Sequence, residues 1–342
     1  LARPDSSLLL TRRRLLGVLG AFGLSLAVPV AAREANLSLE EVLTHLQRAS
    51  PLGVWVMAQA LADAGVIPQS IGEVRFGPWD AGAFVRNQPK SRLVSAASVM
   101  VHESCHFLTR VLATRNDPEA LAHPGSIGLI LRPGHTLVLR GRPTPSSRQA
   151  ADSFPSFLKN AQRFATYIDS PDPNMTTQKF GIFGLLDEFA AYHAGTRTGL
   201  DLVRDLVHRP SGSGCDWVTR LADADATVVA WPEFRGYILA WMAWVRRQDP
   251  QLFTNLLAHP NLRRAFREIN QDYGAICHAW YRDLPGLLDA LGRAGIRIQA
   301  RDGILLADGR GRVLFRKEFG AILAGIRGTP ELVEVEKLLT TS

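Results

Sequence analysis

Ser95-Ala96-Ala97-Ser98-Val99-Met100-Val101-His102-Glu103-Ser104-Cys105-His106-Phe107-Leu108-Thr109-Arg110-Val111-Leu112-Ala113-Thr114 is the stretch on which the reading of this chain turns. Apolar residues surround the motif on both sides, so the spacing predicts a buried helix from about Ala96 to Thr114. Ser95 is its expected cap and Asn116-Asp117-Pro118 its stop. Each helical residue turns the axis by about 100°, which leaves His102 and His106 about 40° apart and one turn removed. Two imidazoles stacked in that way can direct a ring nitrogen each at one ion. Glu103 stands about 60° from His106, where a carboxylate can take a proton from a water at the metal without binding the metal itself. Two histidines and a glutamate are costly on an apolar helix unless they have a task. Cys105 reads as packing, because adjacent Cys and His on one helix rarely reach the same ion.

A hydrolytic zinc needs a third protein ligand and one open position. The metzincin extension of the motif is closed, since Thr109 and Leu112 occupy the places where its glycine and third histidine belong. The better source is Leu185-Leu186-Asp187-Glu188-Phe189-Ala190-Ala191-Tyr192-His193-Ala194-Gly195, where acids stand in an otherwise apolar helix expected from Gln178 to Ala194. A buried carboxylate needs a partner, and a zinc ion is a good one. Glu188 is the leading candidate and Asp187 the alternative, with His193, His123, His135 and Glu119 further out. Tyr192 shares the face of Glu188 and could hydrogen-bond a ligand or stabilise an oxyanion.

A His-Glu-x-x-His helix followed by a distant helix that offers Glu resembles the gluzincin class of zinc metallopeptidases, the small membrane-associated and minimal members most of all. The likeness covers the two helices, about a tenth of the chain. It implies zinc held by His102, His106 and Glu188, with Glu103 as general base and a substrate strand along a short sheet edge. In that class an Asp often follows the Glu and orients a ligand histidine. Tyr192 and His193 occupy that region here.

Outward from these helices the chain reads as mainly α with a small β portion, an α+β domain. Ser38 to Ala64 predicts two helices parted near Ser50-Pro51, with Ser38 as a cap. Glu73–Phe76 is a short strand candidate. Pro78-Trp79-Asp80, just before the motif helix, could line a cleft. Ile127 to Arg142 reads as a hairpin around Pro133-Gly134. A helix is expected near Phe154 to Ile168, and several apolar helices between Trp217 and Gly292. Asp302-Gly303 and Asp308-Gly309 punctuate a three-stranded meander with strands at 296–298, 304–306 and 313–315. The expected organisation is therefore a leader at 1–32, a helical zinc hydrolase domain at 33–295, and a meander with its tail at 296–342 packed on the same domain.

The leader reading rests on Thr11-Arg12-Arg13-Arg14-Leu15-Leu16, the apolar stretch Gly17 to Val30, and Val30-Ala31-Ala32 as a small-residue cleavage site. The arginine pair resembles a twin-arginine signal, which implies bacterial export to the periplasm or beyond, or a membrane anchor if the leader is kept. The 342 residues are 46% hydrophobic and 21% charged, within the globular range, and carry a formal charge of +7. Arg3, Arg12, Arg13 and Arg14 against Asp5 put +3 of that in the leader. The remaining +4 favours anionic neighbours such as lipid headgroups or cell-wall polymers. Nucleic acid is disfavoured, because no basic run interleaved with aromatics lies beyond the leader. Cys215 and Cys277 are the pair left for a disulfide, and two buried thiols fit equally well. The expected substrate is a peptide or protein. The rivals are a zinc hydrolase acting on a non-protein amide and a helical periplasmic scaffold with an inert motif.

Overall fold

The computed structural model describes residues 36–62, 66–69, 72–75 and 77–341, so the leader reading lies outside the described residues. The chain opens with α1 (Leu39–Ala49), whose cap Ser38 accepts from the Glu41 amide at 3.0 Å, and α2 (Pro51–Ala62). Pro51 at its first position has no N–H to leave unsatisfied, which separates the two helices as expected. A hairpin follows, β1 (Val66–Gln69) and β2 (Gly72–Arg75). The motif helix α3 runs Leu93–Asn116, two to three residues longer at each end than its sequence reading. It grows directly out of a 3-10 turn at Lys90–Arg92, so Ser95 lies inside it and is not its cap.

β3 (Ile127–Arg132) and β4 (His135–Leu139) form the expected antiparallel hairpin, and β3 packs against α3. After a short α4 (Ser147–Ala150), two short pieces, α5 (Ser156–Lys159) and α6 (Phe164–Tyr167), stand where one helix was expected near 154–168. Between the last two the chain bends and carries Arg163 into the core, where Glu233 takes its guanidinium at 2.6 Å.

The helix expected from Gln178 to Ala194 is two helices, α7 (Thr176–Phe180) and α8 (Ile182–Val207). They part at Gly181, which has φ +51° and packs so tightly that an added Cβ would lie 2.2 Å from the Pro145 carbonyl oxygen. Nor does α8 stop at Gly195. That residue sits where α8 crosses α3, and a Cβ there would lie 2.8 Å from the Ser98 carbonyl oxygen and 3.2 Å from the His102 Cβ. A glycine that reads as a helix end is instead the contact that lets two backbones approach.

Next come α9 (Gly214–Val228), α10 (Ala230–Gln248), α11 (Pro250–Leu257) and α12 (Pro260–Arg293). Almost every residue of α8 is buried, as befits a helix packed by α1, α2, α3, α7, α9, α10 and α12. The meander is β5 (Gln299–Arg301), β6 (Ile304–Ala307) and β7 (Arg310–Val313), its outer strands shifted three residues from the expected positions. The tail beyond it, read without secondary structure, forms α13 (Arg316–Arg327) and α14 (Pro330–Thr340). β6 and β7 pack on α9, and α13 and α14 pack on α10. The described chain is thus mainly helical, with three small antiparallel sheets. No helix among the described residues is long and apolar enough to cross a membrane. Cys105, Cys215 and Cys277 are all free thiols.

Candidate metal centre

α3 and α8 run antiparallel. Gly199 meets Val94 and Ser98, Gly195 meets Ser98 and His102, and Asp187 meets His106 and Thr109, so positions rise on one helix as they fall on the other. This crossing brings His102, His106 and Glu188 together. The Nε2 atoms of the two histidines are 3.1 Å apart, and Oε2 of Glu188 lies 3.3 Å from that of His106 and 3.7 Å from that of His102. Zinc bonds of about 2.0–2.1 Å in a tetrahedron place their ligand atoms about 3.3 Å apart. The triangle has the dimensions that a small divalent cation requires.

The polar balance of the cluster points the same way. Oε1 of Glu188 accepts from the Thr176 hydroxyl at 3.3 Å, while Oε2 is buried and has only the two histidine Nε2 atoms to face. An orphaned carboxylate oxygen in an apolar helix is costly unless a cation meets it. His102 and His106 keep 12% and 20% of their side-chain surface exposed, so the cluster is open to solvent on one side.

Asp187 is not in the triangle. Its Oδ2 lies 2.9 Å from Nδ1 of His106, on the side of the ring away from Nε2, and its Oδ1 accepts from the Thr109 hydroxyl at 2.7 Å. This acid fixes the ring and its tautomer, the part played in zinc sites by a carboxylate behind a ligand histidine. The expectation of an Asp after Glu188 is replaced by one immediately before it. The outlying candidates are engaged elsewhere. His193 meets Asp272 at 2.6 Å, His135 lies 3.0 Å from Arg264, and Glu119 pairs with Arg140 at 2.7 Å. His123 ends a 3-10 turn.

Charge around the histidines separates their protonation. Burial, with His106 and Arg163 nearby, holds His102 well below the ordinary histidine range. His102 is thus neutral, and it donates to the Ala191 carbonyl. Burial opposes protonation of His106 too, but the Asp187 and Glu188 carboxylates outweigh it and hold its pKa well above the usual range. Burial pushes the Cys105 thiol up to about 12, and the cluster of possible ligands does not include it.

Glu103 is half-buried on the same turn as the histidines. Tyr192 touches the site through its ring, edge-on to His102 at 4.5 Å. Its hydroxyl is 3.0 Å from the Tyr167 hydroxyl and hydrogen-bonds Arg163, whose guanidinium lies 4.9 Å over the ring. Tyr192 therefore packs against the His102 ring and does not hydrogen-bond it. Arg163, Tyr167, Glu233 and Thr176 were not singled out from sequence, since nothing in their spacing ties them to the motif, and Thr109 was read only as closing the metzincin pattern. Trp79 is buried, not at the surface of a cleft. Its indole nitrogen donates to the Ser104 hydroxyl at 2.9 Å, and its ring stacks between Phe84 and Phe107 at 5.5 and 5.2 Å.

No protein-family model matches the chain, and no curated protein or solved structure matches it. The likeness to gluzincins rests on the motif residues alone.

Proposed function

We propose that this protein is a zinc-dependent hydrolase, a metallopeptidase by the character of its motif, with His102, His106 and Glu188 as ligands. The observation that carries the reading is the triangle of Nε2, Nε2 and the otherwise unpartnered Oε2. Bound there, zinc supplies Lewis acidity towards water and a carbonyl oxygen. Glu103 accepts the proton of the attacking water and returns it to the leaving nitrogen. Asp187 and Thr109 hold His106 in one orientation, and the Ala191 carbonyl does the same for His102. An amide outside proteins would use the same residues, and a substrate profile separates the two.

A second reading rests on the raised pKa of His106. A proton in place of the metal, shared between His106 and its two carboxylates, would hold the same side chains together in a non-catalytic scaffold. Glu103→Gln distinguishes the readings. The hydrolase reading expects turnover of a peptide library to fall by about 10²–10⁴-fold with metal content unchanged. Undiminished turnover in that variant removes Glu103 from the mechanism.

A further inference from the structure

Two cations meet over one aromatic ring beside the metal cluster. The Arg110 guanidinium lies 5.1 Å and the Lys179 ammonium 5.4 Å from the centre of the Phe180 ring. They come from different helices, and each helix is tied to the cluster. On α3, Arg110 follows His106 by four residues, which sets it about 40° round the axis and about 6 Å along it. Glu103, seven residues before Arg110, lies about 20° from it, so Arg110 continues the face that carries a ligand and the proposed base. On α7, Phe180 follows Thr176 by four residues, and the Thr176 hydroxyl donates to Oε1 of Glu188 at 3.3 Å. The cations are therefore gathered within a helical turn of the ligands.

Neither cation has an acidic partner among the described residues. The acids of the site are engaged, Asp187 by Nδ1 of His106 and the Thr109 hydroxyl, Glu188 by Thr176 and the two Nε2 atoms. Elsewhere the protein pairs its arginines, as in Arg140 with Asp117 and Arg197 with Asp272. Both Arg110 and Lys179 are exposed, so a ligand in solution can reach them. Two like charges held at one ring repel each other, and an anion that meets both relieves this.

We propose that Arg110 and Lys179 form an anion subsite beside the metal, and that the substrate is a peptide with a carboxylate one or two residues from the scissile amide. The proposal rests on the hydrolase reading above for its reaction and on the two cations for its specificity. An extended peptide advances about 3.3–3.6 Å per residue. A carbonyl at the metal thus places a group one or two residues away about as far off as Arg110 is from His106 along α3. The arginine fork can take both oxygens of a carboxylate, and Lys179 adds a point charge. A chain-terminal carboxylate and an acidic side chain offer the same group.

The test is calorimetric titration of the zinc-loaded protein carrying Glu103→Gln, which on the hydrolase reading binds without turnover. Four peptides serve as probes: N-acetyl-trialanine, its amide, and amides with glutamate in the first or the last place. A carboxylate peptide is expected to bind about 10–100-fold more tightly than the neutral amide, and the peptide preferred identifies the source of the carboxylate. Adding Arg110→Gln with Lys179→Gln should abolish the preference and leave binding of the neutral amide unchanged. Lys317→Gln with Arg327→Gln, an equal loss of charge on α13, should keep it. Equal binding of all four peptides, or a preference that survives Arg110→Gln with Lys179→Gln, overturns the proposal. Turnover of the same peptides by the wild-type protein is read separately. Hydrolysis with no preference sinks the subsite alone, whereas a preference without hydrolysis sinks the hydrolase reading and leaves the subsite standing.

Discussion

Asp187 and Glu188 are consecutive acids on an apolar helix, yet they face different atoms of one imidazole. The 100° step between them sends Glu188 to the Nε2 side of His106 and Asp187 to the Nδ1 side, where Thr109 completes its hydrogen bonding. The two therefore differ in the effect of their removal. Asp187→Asn should weaken zinc binding by about 10–100-fold through loss of ring orientation, while sparing the ligand set. Competition with a chromophoric chelator measures this. Unchanged affinity would mean that packing against Tyr192 and the helix backbone is enough to orient the rings. Sequence spacing marked both acids as interesting, and only the depth and rotation of α8 distinguish ligand from support.

Between helices, the site depends on how closely α3 and α8 approach. Gly195 stands at that crossing, with no room for a Cβ against Ser98 and His102. Gly195→Ala should cost about 1–3 kcal/mol by forcing the helices apart. It should also weaken metal binding, because His102 moves with its backbone. Denaturant unfolding and a zinc titration give the two readouts, and a variant with wild-type values in both would show that α8 can shift without cost. The docking of the meander has its own hinge in Asp225, which accepts from the Trp280 indole at 2.8 Å and the Phe315 amide at 2.5 Å. Burial raises its pKa to about 6 from 3.8. The folded state therefore holds this proton more tightly than the unfolded one. Its contribution is full below about pH 4 and is lost as pH rises through about 6, a swing of about 3 kcal/mol. Thermal melts from pH 4 to 7 should show wild type losing stability relative to Asp225→Asn as the pH rises. A constant difference would place the Asp225 pKa near its ordinary value.

Across the whole molecule, the parts legible in the sequence were those set by local rules. The paired helices at 39–62, the hairpin at 127–139 and the motif helix follow from caps, turn residues and apolar spacing. What escaped was set by contacts distant in sequence. Gly195 reads as a helix end but serves a crossing, and Arg163 interrupts a helical pattern because Glu233, seventy residues on, draws it inward. The helices after the meander lie over α10, where Arg235 grips Glu336 at 2.7 and 2.6 Å, a pairing that no local pattern announces. Of the site, the motif and the acidic pair were readable, and the supporting hydrogen bonds were not. All of the functional reading converges on one quantity, the metal content of the purified protein, measured beside His106→Ala and Glu188→Ala. One zinc per chain, lost in both variants, is the predicted result. A protein that binds no zinc even after reconstitution would contradict it and leave His106 holding a proton where the metal was proposed.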